Sequence, residues 1–94
     1  MIQLAIIEDN KQYCKALQFI LQETDYVQII HILNYAELID DAFQEQLPDV
    51  VIMDIDLPGK NGIEAVWEIK QKWPAVKIMM LTVFEDADKL FSAI

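Results

Sequence analysis

Apolar positions along the chain follow two alternating rhythms. Ile2 to Ile7 is a short, nearly continuous apolar run, which predicts a strand. Asn10 is placed to cap a helix reaching about Gln22, with Tyr13, Ala16, Leu17, Ile20 and Leu21 recurring at helical spacing. Val27 to Leu33 is β-branched and apolar, a second strand. Tyr35 to Leu47 returns to the helical rhythm through Leu38, Ile39, Ala42 and Phe43, and Pro48 stops it. Val50 to Met53 reads as a third strand, and Pro58, Gly59 and Gly62 mark the loop after it. Ile63 to Trp73 is again helical, with Ile63, Val66, Trp67 and Ile69 expected inward and Pro74 closing it. Val76 to Leu81 is a fourth strand. A last helix is expected to begin near Glu85 or Asp86 and to be cut off at Ile94.

Four alternations of strand and helix, joined by short loops, predict an α/β domain. Apolar strands covered by amphipathic helices bury a parallel sheet on both faces. Right-handed crossovers make that sheet doubly wound. Met53, Met79 and Met80 are assigned to its core, and Trp67 and Trp73 to helix-on-sheet packing, with Trp73 partly exposed. Cys14 reads as a small packed residue and His31 as a structural one. The whole chain, 1–94, is expected to be one domain truncated within its fourth helix. The fourth strand would then be an open apolar edge that pairs with a second copy, by association or by swapping.

Charge narrows the partners. Sixteen acids against seven lysines and no arginine give a net charge of −9, which repels nucleic acid phosphates and anionic membranes. No apolar run approaches the ~20 residues that span a bilayer, and no basic-then-apolar leader opens the chain. A single cysteine excludes an internal disulfide and fits a reducing compartment. The expectation is a cytoplasmic domain with no direct nucleic acid or membrane contact.

In an open parallel sheet, ligands bind beyond the carboxyl ends of the strands, where the strand order reverses. The first predicted strand ends in Glu8-Asp9, the third in Asp54 with Asp56 two positions on, and the fourth in Thr82. With strand order 2-1-3-4 these groups share one pocket. Three carboxylates there repel one another, and a hard divalent cation such as Mg2+ relieves the repulsion while keeping waters that phosphate oxygens can replace. A carboxylate beside such an ion can attack a phosphoryl donor and form an aspartyl phosphate. In this scheme Glu8 and Asp9 hold the ion and Asp54 is the nucleophile. A carbonyl near Asp56 completes the coordination, and the Thr82 hydroxyl binds the arriving phosphoryl oxygens. Separately, Glu8-Asp9 and Thr82 would pass for ordinary strand-end residues; in combination they make a site.

Three stretches, "IIEDN", "MDIDLPGKNG" and "MMLTVFED", resemble the receiver domain of bacterial two-component response regulators. The order and spacing of Asp9, Asp54 and Thr82 are similar to the family's. The resemblance implies a flavodoxin-like order 2-1-3-4-5, with the fifth strand and helix absent from this chain. It implies that Asp54 accepts a phosphoryl group from a sensor histidine kinase. Asp9, Asp54 and the Asp56 carbonyl would bind Mg2+, with Glu8 acting mainly through water, and Thr82 would be the switch residue. Pro58 and Gly62 match the family's loop after the acceptor. "TVFEDADKLFSAI" is most similar to receivers that precede a LuxR-type helix-turn-helix, which implies a DNA-binding output domain beyond residue 94.

The sequence departs from the family at Glu8, where aspartate is commoner. Nor does any of Lys60, Lys70, Lys72, Lys77 or Lys89 stand where the family's lysine stands, after a fifth strand. By this reading the chain is not an enzyme beyond its own phosphorylation and dephosphorylation. Two alternatives remain at this point. "DID" at 54–56 also resembles haloacid-dehalogenase-like phosphatases, although those carry the motif on their first strand and Thr or Val where Pro58 stands. The other is a receiver-like interaction domain that works without phosphate.

Overall fold

The computed structural model describes residues 1–81. Four parallel strands, β1 (Ile2–Ile7), β2 (Val27–Leu33), β3 (Val50–Asp54) and β4 (Lys77–Leu81), form one sheet in the order β2-β1-β3-β4. Three α-helices connect them: α1 (Lys11–Leu21), α2 (Ile39–Glu45), which follows a 3-10 turn at Ala36–Leu38, and α3 (Gly62–Lys72). This is the doubly wound order expected from the sequence. Thr82 and the expected last helix lie outside the described residues.

Alternation along β1 feeds two cores. Ala5 and Ile7 face α2 and α3, joining Val51 and Met53 of β3 with Ile39, Phe43 and Ile69 from the helices. Leu4 and Ile6 face α1, where they meet Cys14 with Leu17 and Leu21 packed around. From Leu4 to Ile7 both faces of β1 are therefore dry, which is why that part of the strand is apolar without a break. Phe43, only 2% exposed, anchors α2: its ring lies 6.0 Å from His31 and 5.4 Å from Trp73, centre to centre. His31 Nε2 donates to the carbonyl oxygen of Gln46 at 2.8 Å, tying β2 to the end of α2. The structural role expected of His31 is the one found, as is the packed position of Cys14.

Several inward assignments are corrected. In α3 the buried positions are Gly62, Ala65 and Ile69, whereas Ile63 and Trp67 are 64% and 67% exposed. The start of the helix sits so close to the end of β3 that only a glycine fits at Gly62, and in this orientation Ala65 and Ile69 face inward while Ile63 and Trp67 face outward. In α1 the inward residues are Cys14, Leu17 and Leu21, while Ala16 and Ile20 face solvent. Leu38 belongs to the 3-10 turn and is exposed. Met53 is fully buried, but Met79 and Met80 are 62% and 37% exposed, because β4 has a partner on one side only among the described residues. Met79 also shares the face on which α1 is the described helix, and α1 packs over Leu4, Ile6 and Ile52 instead.

Candidate functional site

At the carboxyl end of the sheet, β1 and β3 are neighbours in register, Ile7 opposite Met53. The residues that follow each strand must therefore emerge side by side. Glu8, Asp9 and Asp54 do so, each offering a carboxylate oxygen such that all three atoms lie within 4.8 Å of one another.

Glu8 is held between strand and helix. Its N–H donates to the carbonyl of Leu33 at 3.0 Å, extending the β1–β2 ladder by one residue. Its carbonyl lies 3.4 Å from the Cys14 thiol, which donates to it. Asn10 then caps α1, its Oδ1 accepting from the backbone N–H of Gln12 at 2.9 Å and of Tyr13 at 3.1 Å. The capped helix start pins Glu8 and Asp9 over the sheet edge. Asp9 is exposed and Glu8 is 2% exposed.

Asp54 is the last residue of β3 and 7% exposed. Its Oδ1 accepts the backbone N–H of Asp56 at 3.1 Å, which fixes the carboxylate against its own turn and leaves Oδ2 free of that bond. The side chain of Asp56 is exposed and stands outside the three-carboxylate group; the residue meets the site through its backbone. Gly62 completes the seat. A Cβ there would collide with the carbonyl oxygen of Asp54 and lie 2.9 Å from the Cα of Ile55, so the first turn of α3 rests directly on the strand end.

The electrostatics of this cluster favour a positive charge. Burial, and then the adjacent Asp54 carboxylate, push the Glu8 carboxyl from 4.5 up to about 8. Its Oε1 takes a 3.3 Å bond from the N–H of Asn10, but Oε2 is buried with no hydrogen-bond partner. A buried, unpartnered carboxylate oxygen facing two further acids is unfavourable unless a proton or a cation sits beside it. An all-oxygen, hard donor set of this kind suits a divalent ion such as Mg2+. The residues present fit such an ion.

Three of the described lysines are engaged elsewhere. Lys60 Nζ lies 2.6 Å from Glu68, Lys72 Nζ lies 2.8 Å from Asp40, and Lys70 Nζ donates to the carbonyl of Val76.

Three contributors were missed in the sequence. Asn61 caps α3: its Oδ1 accepts from the N–H of Glu64 at 2.9 Å, and its amide donates back to the Glu64 carboxylate. "NGIE" carried the signal, a cap residue followed three positions later by glutamate. Leu57, 6% exposed, plugs the loop after Asp54 into the core. Glu37 reaches that loop from the other side, and no local pattern marks it.

A strand-tip pocket with an acidic pair after the first strand and a lone aspartate ending the third defines the receiver class. Residues 4–94 match the response regulator receiver domain, and the chain belongs to that family. It is 31% identical to the transcriptional regulatory protein LnrK of Bacillus subtilis over 94 residues, covering all of this chain and 43% of that protein. It is 36% identical over 84 residues to the transcriptional regulatory protein DesR of the same organism, covering 89% of this chain and 41% of DesR. Among solved structures it superposes on a LuxR-family DNA-binding response regulator from Staphylococcus aureus with a TM-score of 0.78 and 29% identity. That match covers 99% of this chain and 78% of the other. The chain thus spans about two-fifths of the length of these two curated relatives.

Proposed function

We propose that this chain is a phosphorylation-controlled signalling domain in which Asp54 accepts a phosphoryl group from a sensor histidine kinase. The observation that carries the reading is the convergence of Glu8, Asp9 and Asp54 at the tips of β1 and β3, with the Glu8 Oε2 orphaned. Asp9 and Asp54 would hold Mg2+ directly, with the backbone carbonyl of Asp56 as a further donor, and Glu8 would act mainly through water. When bound, the ion neutralises the acids and the incoming phosphoryl oxygens. The protein's part is positioning. The Asp56 N–H holds Asp54 Oδ1, so Oδ2 is presented to the phosphorus. A bond forms between Oδ2 and phosphorus as the bond from phosphorus to the donor's imidazole nitrogen breaks, and the electron pair stays on that nitrogen. Thr82, next after β4, is assigned to hydrogen-bond the phosphoryl oxygens and to act as the switch.

The module acts in the cytoplasm, and its output is a helix-turn-helix DNA-binding domain beyond residue 94. The acidic chain itself makes no nucleic acid or membrane contact. Among the described residues no helix is long and apolar enough to cross a membrane. The chain takes up one phosphoryl group rather than turning over substrate.

Intact-mass measurement after incubation with Mg2+ and acetyl phosphate tests the assignment. The wild type should gain a single phosphoryl group that Asp54→Asn does not gain. Equal incorporation by both proteins would refute it, and steady hydrolysis of p-nitrophenyl phosphate would favour the phosphatase reading.

A further inference from the structure

The loop that leaves Asp54 is tied down at several points. The Asp56 N–H bonds Asp54, the Gly62 N–H donates to the Ile55 carbonyl at 3.0 Å, and Lys60 Nζ pairs with Glu68 of α3. These ties join the loop to β3 and α3, the elements it already connects. One side-chain tie comes from elsewhere, beside the backbone bond from the Ile55 N–H to the Leu81 carbonyl of β4 at 3.4 Å. Glu37, in the 3-10 turn after β2, reaches across with its Oε1 accepting the backbone N–H of Lys60 at 3.1 Å.

Two further observations show that this contact is shaped for its partner. Gly59 adopts φ +74°, a left-handed conformation that L side chains rarely adopt. A Cβ on it would approach the same Glu37 Oε1 to 2.8 Å. The loop backbone is bare where the carboxylate lies against it. The bond to Lys60 also holds the Glu37 carboxyl below its ordinary range, so the carboxylate is ionised at neutral pH. Charge-assisted bonds from backbone N–H groups to carboxylates are among the stronger polar contacts a loop can make.

We infer that Glu37 is a positioning residue for the acidic site: it clamps the 55–61 loop through the Lys60 N–H and so fixes the Asp56 backbone beside Asp54. This rests on the reading of Asp54 and Asp9 as a cation site. A loop freed at Lys60 and Gly59 can rotate Asp56 away from Asp54, and a site assembled only part of the time binds its ion more weakly by that fraction.

The test is Mg2+ titration, followed by backbone amide shifts, of the wild type and of Glu37→Ala, Glu37→Gln and Asp54→Asn. Amide hydrogen exchange at Lys60 and thermal unfolding are measured in parallel. Glu37→Ala should weaken Mg2+ binding roughly three- to tenfold, the loss of one backbone hydrogen bond, and should speed exchange at Lys60. Glu37→Gln keeps an acceptor oxygen and should recover most of the affinity, which a purely structural or purely electrostatic role would not produce. Wild-type affinity in Glu37→Ala, or equal losses in the Ala and Gln variants, overturns the inference while leaving the site intact. Absence of Mg2+ binding by the wild type, or equal binding by Asp54→Asn, overturns both.

Discussion

Replacing Glu8 by glutamine isolates the electrostatic cost of the acidic pocket. In the folded chain the Glu8 carboxyl is pushed from 4.5 up to about 8 by burial and by Asp54. Between those values the folded protein keeps a proton that the unfolded chain has released, so stability falls as pH rises. The decline begins near 4.5, is at most about 1.4 kcal/mol per pH unit, and ends near 8. At pH 7, about 2.5 units above the ordinary value, the accumulated loss is about 3 kcal/mol. Glutamine does not titrate, and its amide can donate where Oε2 now has no partner. Thermal or urea unfolding in EDTA from pH 4.5 to 8 should show the two proteins converging at the acid end. By pH 7 Glu8→Gln should be the more stable by about 3 kcal/mol, roughly 12–24 °C in Tm for a domain of this size. Excess Mg2+ should close the gap by stabilising the wild type, as binding to the folded state requires. Parallel stability curves for wild type and variant across the whole range would refute the electrostatic reasoning.

Two other substitutions probe the scaffold. Gly62→Ala forces a methyl group onto the Asp54 carbonyl, and the Gly62 N–H bond to Ile55 prevents the helix from retreating, so unfolding free energy should drop by about 2–3 kcal/mol. Phosphoryl uptake should fall with it; undiminished uptake and stability would show that α3 does not rest on the strand end. Phe43→Ala empties the space between His31 and Trp73 and should cost about 3–5 kcal/mol in urea unfolding, and a loss below about 1 kcal/mol would contradict its place at the centre of the core.

The topology was legible because each strand is a run of apolar residues and each connection carries helical spacing. The site was legible because acids at the ends of buried strands have no reason to be there in packing terms. Glu8, Asp9 and Asp54 were found that way, and the sheet order brings them together. Less legible was the facing of the helices. Hydrophobicity points Ile63 and Trp67 inward, but the close approach of α3 to Asp54 requires Gly62 at the first turn, and the inner face then continues through Ala65 and Ile69. That constraint comes from the distance between two backbones, which no single segment records. Glu37 was missed for a related reason. Its partner Lys60 is 23 positions away, and only the folded chain shows that they meet.

On this reading the tips of β1 and β3 form one cation site around a phosphate-accepting carboxylate. Mn2+ takes the same hard oxygen donors as Mg2+ and scatters anomalously. Crystals of the protein soaked in Mn2+ should show a single anomalous peak at bonding distance from both the Asp9 and Asp54 carboxylates, absent in Asp54→Ala. A peak elsewhere on the surface, or none at a concentration that saturates wild-type binding in solution, would contradict a shared site at these strand tips.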